Sequence, residues 1–375
     1  MSKQLRIRLF AILGTLLTST TLLAQGVITM TTSKAVGEEI GLNIKANGNV
    51  SIEGVKETFD YDAYTYTLTS KTVIIRGDVT KLYCSENQLT SLDVSKNTAL
   101  KELYCFENQL TSLDISKNTS LTKLGCRDNE LTSLNVSKNT ALTELDCSSN
   151  QLTSLDVSKN TVLTELRCRG NRLTSLDVLK NTALTELWCS NNQLTSLDVS
   201  KNTALTKLYC HENQLTSLDV SKNTALTELW CAINQLTSLD VSKNTALTSL
   251  MCSENQLTRL DVSKNTALTE LWCSNNQLTS LDVSKHTALT NLRCSANRLT
   301  SLNISGCARL TVINCSSNYI KGKAMTKLVN SLPNRRRRSS GSIFLVDRSS
   351  ESRDKNSCST ADVTTAKRKN WEVEQ

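Results

Sequence analysis

The sequence predicts a β-rich solenoid of about twelve stacked coils, and three observations carry that prediction. A 21-residue unit, seen most plainly as LTELWCSNNQLTSLDVSKNTA from Leu184 to Ala204, returns with small changes from Val79 to near Tyr319. Cys84, Cys105, Cys126, Cys147, Cys168, Cys189, Cys210, Cys231, Cys252, Cys273, Cys294 and Cys315 fall at strict 21-residue steps. Within the unit, leucines recur in a pattern that points one side of the chain inward.

Each unit divides into two arcs, LTELWCSNNQ and LTSLDVSKNTA, both of the form Leu-x-x-Leu-x-apolar-x-x-Asn. Alternation ending in Asn reads as a short strand followed by a turn whose backbone groups the amide satisfies. One coil with two strand-like edges is therefore expected. Leu184, Leu187, Cys189, Leu194, Leu197 and Val199 point inward, each contributing roughly 1.5–3 kcal/mol when buried. Ordering the coil costs about 1.5 kcal/mol per residue, so a single coil is unstable and neighbours must complete it. The fold class is a leucine-rich-repeat solenoid, on the order of 50 Å long at a strand spacing of about 4.8 Å.

The elements follow in order. Residues 1–24 read as a signal peptide: Lys3, Arg6 and Arg8 precede an apolar run, and Ala24 offers a cleavage point. No later stretch has the length of a membrane span. Residues 25–78 read as an N-terminal β cap made of VITMTTS, IGLNIKANGNVSIEGV with a turn at Asn47-Gly48, and YTYTLTSKTVIIRG. The solenoid covers 79–319, and TVIIRGDVTKLYC runs straight into its first coil. Residues 320–375 form an α/β C-terminal cap with a basic tail. There GKAMTKLVNSLP has helical spacing and ends at Pro333, SIFLVD is a strand, and STADVTTAKRKNW is a helix capped by Ser359 or Thr360.

The chain carries 43 Lys and Arg against 35 Asp and Glu, a formal charge of +8. The surplus gathers in Arg335 to Arg338 and in Lys367, Arg368 and Lys369. A solvated basic loop is the plain reading, and contact with anionic glycans or nucleic acid the sharper one. The cysteine column shares the inward role of Val94, Ile115 and Val136, so its thiols are expected to be reduced core residues. Cys307 and Cys358 stand outside it, and a disulfide between them is a weaker option. At Gly306 and Cys307 the usual Lys-Asn pair is replaced, and His286 replaces the same Asn.

Variation between coils is concentrated on one face. The residue before each ladder cysteine points outward and runs Tyr83, Tyr104, Gly125, Asp146, Arg167, Trp188, Tyr209, Trp230, Met251, Trp272, Arg293 and Asn314. Just beyond the cysteines lie Phe106 and His211. Aromatic residues in a row are typical interface anchors, although they also stabilise a sheet by packing across strands. The candidate ligand-binding residues are Tyr83, Tyr104, Phe106, Arg167, Trp188, Tyr209, His211, Trp230, Trp272 and Arg293. The other arc repeats Asp198, Ser200, Lys201 and Asn202 in register and reads as scaffold, its acidic and basic columns offsetting one another.

No catalytic constellation is legible. His211 and His286 sit on different faces without partners at ligand or triad spacing, and no glycine loop for phosphate is present. The Asp-x-Ser-x-Asn turn lacks the glycines of calcium-binding solenoids, and Lys201 opposes a cation. The expectation is a non-enzyme without cofactor or metal.

The 21-residue period, the cysteine column in LTELWCSNNQ and the LTSLDVSKNTA arc resemble the internalin J group of bacterial leucine-rich-repeat proteins. The segments TMTTSKAVGEEIGLNI and AMTKLVNSLPNRRRRSSGSIFLVD, with AKRKNW, look like versions found in Bacteroidetes such as Porphyromonas. The resemblance implies a secreted or surface protein active in adhesion, biofilm formation or contact with host molecules. The chain has no LPxTG-like signal, lipobox cysteine or secretion domain of the Bacteroidetes type, so a secreted form and a shortened gene stand beside surface retention. The expected partner is a protein or glycan on host or neighbouring cells, bound by a monomer, with nucleic acid set aside. The alternative is a structural rod or spacer with no dedicated ligand.

Overall fold

In the computed structural model, which describes residues 26–57, 64–348 and 354–374, the repeats wind into a continuous leucine-rich-repeat solenoid. The expected signal peptide lies outside the described residues. The first rung is the end of the strand Thr72–Tyr83, whose Lys81, Leu82 and Tyr83 pair in parallel with Glu102, Leu103 and Tyr104. Three-residue strands follow at 21-residue steps through Glu186–Trp188 to Val312–Asn314, all parallel and in register. The six inward residues of the Leu184 coil are buried, with Leu197 the most exposed at 7%.

The second arc departs from expectation. It forms no strand in the repeated coils beyond Leu89–Asp93, which pairs with the cap, and an isolated bridge between Asp282 and Asn303. Its Leu and Val point inward because the chain is extended. Among the described residues, however, Thr195 to Val199 exchange no backbone hydrogen bond with neighbouring coils. The Asp and Lys columns also form no ion pair there. Each Asp carboxylate instead accepts the N–H two residues on, as Asp198 does from Ser200 at 2.9 Å, and that bond holds it below the usual carboxylate range.

Two buried columns of Asn bind the coils together. In the first, Asn213 Nδ2 donates to the carbonyls of Cys189 at 3.0 Å and Cys210 at 3.2 Å, while its Oδ1 accepts the Leu194 N–H at 2.9 Å. In the second, Asn223 Nδ2 donates to Val199 O at 3.0 Å and Asn202 O at 2.8 Å, while its Oδ1 has no partner. The second column therefore works as a donor only. This explains its two substitutions: His286 Nε2 reaches Val262 O at 3.1 Å, and Cys307 Sγ donates to Val283 O at 3.0 Å.

Cys307 is thus engaged in the second Asn column rather than joined to Cys358, and all fourteen cysteines are free thiols. The twelve-membered cysteine column is fully buried. Burial pushes the Cys189 thiol up to about 12, so it stays protonated and unreactive at neutral pH.

The caps close both apolar ends. Val27–Thr32 and Asn43–Glu53 flank Thr72–Tyr83 as antiparallel strands. The turn expected at Asn47-Gly48 is instead an irregularity inside Asn43–Glu53, where the register shifts between Asn47 and Ser51 and Gly48 takes φ 97°. A smaller sheet joins Glu39–Gly41, Thr65–Leu68 and Val55–Glu57.

At the other end, helix α1 (Lys323–Ser331) buries Met325, Leu328 and Val329. Helix α2 (Thr360–Arg368) starts in a capping box made by Ser359 and Asp362. The strand Gly341–Phe344 extends the sheet in register, and Trp371–Glu374 adds one more, beginning at Trp371, the last residue of the stretch expected to be helical. Asn356 continues the first Asn column, donating to Cys315 O at 2.8 Å and Leu345 O at 2.7 Å and accepting from Ile320 at 2.7 Å.

The basic run also needs correction, because Arg335 is only 4% exposed. It donates to Leu310 O at 2.8 Å and Ser339 O at 3.0 Å, and it packs on Trp371, whose Nε1 donates to Pro333 O at 2.9 Å. This arginine seals the last coil rather than facing a polyanion.

Two predictions follow from these bonds. Asn202→Cys keeps a donor for Val178 O but gives up the bond to Asn181 O and should cost about 1–2 kcal/mol, whereas Asn213→Cys also orphans the Leu194 N–H and should cost about 2–4 kcal/mol, read as a drop in the urea midpoint. Arg335→Ala should cost about 2–4 kcal/mol by stranding buried carbonyls, while Arg337→Ala at an exposed position leaves the thermal midpoint unchanged.

Candidate ligand-binding face

A three-residue strand such as Glu186–Trp188 buries its central Leu and turns the flanking pair outward. Parallel in-register pairing then stacks equivalent outward residues at every step. The structure places Tyr83, Tyr104, Arg167, Trp188, Tyr209, Trp230, Trp272 and Arg293 in one such column. Phe106 and His211 come from the column two residues further on. They touch the first column through Tyr83 at 6.3 Å and Trp230 at 6.2 Å between ring centroids.

The column is two patches rather than one stripe. In the first, Tyr83 and Tyr104 stack at 4.1 Å with planes 14° apart. In the second, Tyr209 stands 4.8 Å from Trp188 and 4.2 Å from Trp230. Trp272 is separated from these by Met251 and carries the Arg293 guanidinium 4.3 Å over its ring. Arg167 lies 4.5 Å over Trp188 and bonds Glu165.

The aromatics are less free than a row of exposed anchors. Tyr209 is only 6% exposed and donates to Glu228, and the tryptophans are half-buried. Burial, reinforced by Glu228, raises the Tyr209 phenol above its ordinary range, and burial with Glu102 does the same for Tyr104. Glu165 is raised by burial and by the carboxylates of Glu186, Glu144 and Asp146, against the pull of Arg167. Burial lowers His211, with Arg169 adding to it and Glu212 opposing.

Ile233 was not among the candidates. It lies three residues after Trp230, is 43% exposed and adopts φ 54°, a backbone region costly for a β-branched residue. Its signal was present in CAINQ, where an apolar residue replaces the polar one usual at that turn. Gly125 is the one residue of the outward column without a side chain, and it opens a notch in the face that the sequence signals only as a missing side chain. Among the described residues no cluster of three or more His, Cys, Asp or Glu is placed to hold a metal, and no helix is long and apolar enough to cross a membrane.

Comparison with known proteins agrees with this architecture. The family model described as Leucine Rich repeats (2 copies) matches residues 161–202 and 245–286. The chain is similar to the functional domain of InlJ from Listeria monocytogenes, which includes a cysteine ladder. Identity is 34%, over 82% of this chain and 76% of that one, with a TM-score of 0.65. It is also similar to the internalin InlF of the same organism at 21% identity, covering 79% and 86% with a TM-score of 0.67. A leucine-rich-repeat protein of Leptospira interrogans matches at 24% identity, covering 77% and 82% with a TM-score of 0.60. The last two show the fold alone. A search of curated proteins returned no match.

The lowered His211 pKa sets a pH dependence. Its folded pKa lies below the ordinary 6.5, so the unfolded chain binds this proton more readily and stability falls as pH drops below 6.5. Between pH 7.5 and 5.5 the native chain should lose roughly 1–2 °C more in thermal midpoint than His211→Gln, as followed by circular dichroism.

Proposed function

The chain belongs to the internalin J family of leucine-rich-repeat proteins, and on that premise we propose that it is an exported, non-catalytic, adhesin-like binding protein. Its ligand is a protein or glycan, held on the outward face of the parallel sheet by the patches around Tyr104, Trp188, Trp230 and Trp272. The observation that carries this reading is the confinement of coil-to-coil variation to that face. The other arc repeats nearly unchanged, and its Asn column serves only to join coils. Selection on a scaffold alone gives no reason for one face to differ at each step.

Export through a cleaved signal at residues 1–24, and the division into caps at 25–78 and 320–375 around a solenoid at 79–319, belong to the same proposal. So does action as a monomer at the cell surface or in the medium.

A second reading, the structural rod, draws on the packing of the aromatics against one another and against Arg167 and Arg293. Cross-strand packing of this kind contributes roughly 0.2–1 kcal/mol per pair without any ligand.

Replacing Trp188, Trp230 and Trp272 together by Ala separates the two. The binding reading expects attachment to a protein and glycan array to weaken by at least ~30-fold, the loss typical of interface anchors, with the far-UV spectrum unchanged. Unchanged attachment by the triple variant overturns that reading, and a function that shortens in step with whole-coil deletions supports the rod.

A further inference from the structure

Between the two aromatic patches the outward column reads Tyr104, Gly125, Asp146, Arg167 in register. The missing side chain at Gly125 opens a notch of about 210 Å³ in the sheet face. One wall is Tyr104, which has one ring face on Tyr83 and leans over Gly125 with the other, its Cδ1 3.0 Å from where a Gly125 Cβ would stand. The opposite wall begins at Asp146, two rungs and therefore about 9–10 Å away.

The charges around this notch are unevenly matched. Lys123 is paired with Glu144 at 2.7 Å, Arg127 with Glu107 at 2.8 Å and with Asp128, and Arg167 with Glu165. Asp146 has no ion pair among the described residues. Among the described residues its carboxylate accepts one hydrogen bond, from the Ser148 N–H at 3.1 Å to Oδ1, which leaves Oδ2 open. The notch therefore sets the Tyr104 ring, which shares the Lys81 ammonium with Tyr83, opposite a carboxylate that has no ion pair among the described residues.

The same sheet completes that arrangement elsewhere with its own side chains. A guanidinium lies over Phe106 at 4.5 Å, over Trp188 at 4.5 Å and over Trp272 at 4.3 Å. At the notch the ring and the carboxylate are present, but the nearest cation on Tyr104 is the Lys81 ammonium, 5.3 Å from its centroid, shared with Tyr83 and paired with Glu102 at 2.9 Å; among the described residues no guanidinium lies over this ring. We propose that the Gly125 notch receives an arginine side chain of a protein partner, its planar guanidinium on Tyr104 and its N–H groups on Asp146. The inference rests on the sheet face being the binding surface.

Arginine fits better than other occupants on chemical grounds. Its flat, weakly hydrated head stacks on a ring and forks onto a carboxylate at once, which an ammonium does not do. A sugar ring would use the Tyr104 face but leave Asp146 unpaired.

The test uses the full chain and saturation-transfer NMR with Nα-acetyl-arginine methylamide, its lysine counterpart and a methyl glycoside as probes. Transfer should be strongest to the arginine side-chain methylenes and at least ~5-fold weaker to lysine. Gly125→Arg supplies a resident guanidinium and should abolish it. Its new Cβ meets side-chain ring atoms that can shift, Tyr104 Cδ1 at 3.0 Å and Phe106 Cδ1 at 3.9 Å, and Gly125 does not need a left-handed backbone. Asp146→Asn, nearly isosteric, should weaken the probe by ~5-fold or more through loss of the charged acceptor.

No transfer to the arginine probe, or equal transfer in Gly125→Arg and Asp146→Asn, overturns the inference. Preferred transfer to the glycoside, lost in Gly125→Arg, overturns it in favour of a sugar. If these variants bind normally while the triple tryptophan variant does not, the notch fails and the face stands. If the triple variant also attaches normally, the face itself fails.

Discussion

The structure depends on a buried side-chain amide repeated every 21 residues. A tightly wound coil leaves turn carbonyls and N–H groups that cannot reach water, and each left unpaired costs about 1–3 kcal/mol. Asn213 answers four of them with one side chain, three carbonyls through Nδ2 and one N–H through Oδ1. Because these partners lie in adjacent coils, the bond that satisfies a turn also joins one coil to the next. The leucine core and the sheet register follow from that spacing.

Comparing the two Asn columns shows how the demand on a side chain sets its freedom to change. The first uses both ends of the amide, and every position from Asn87 to Asn318 is Asn, with Asn356 extending the column through the cap. The second uses only the donor, and there His286 and Cys307 replace Asn while keeping one of its two bonds to the preceding coil, the one to the carbonyl 24 residues back. The cysteine ladder follows the same logic in apolar form. It fills a narrow space, is stripped of reactivity by burial, and leaves chemistry to the outward face.

That face inherits its order from the core. Strict register stacks outward residues whatever their identity, so neighbouring coils build ring stacks and guanidinium–ring pairs without further design. It also means that one glycine creates a notch with defined walls, since the rungs on either side cannot move to close it.

Much of this was determined by the sequence. The period, the inward set of Leu, Val and Cys, the outward aromatic column, helix α1 with its buried Met325, Leu328 and Val329, and the Ser359 cap of α2 all follow from local spacing and chemistry. The tertiary structure alone decided whether the second arc would be a strand. Alternation there reports which side faces the core, while a strand needs a neighbour within hydrogen-bond reach. It also decided that Arg335 is core, because the Leu310 carbonyl it covers becomes an open end only once the last coil is stacked. The same holds for the notch: Gly125 and Asp146 were visible as letters, but pairing across coils placed the Tyr104 ring opposite an unmatched carboxylate.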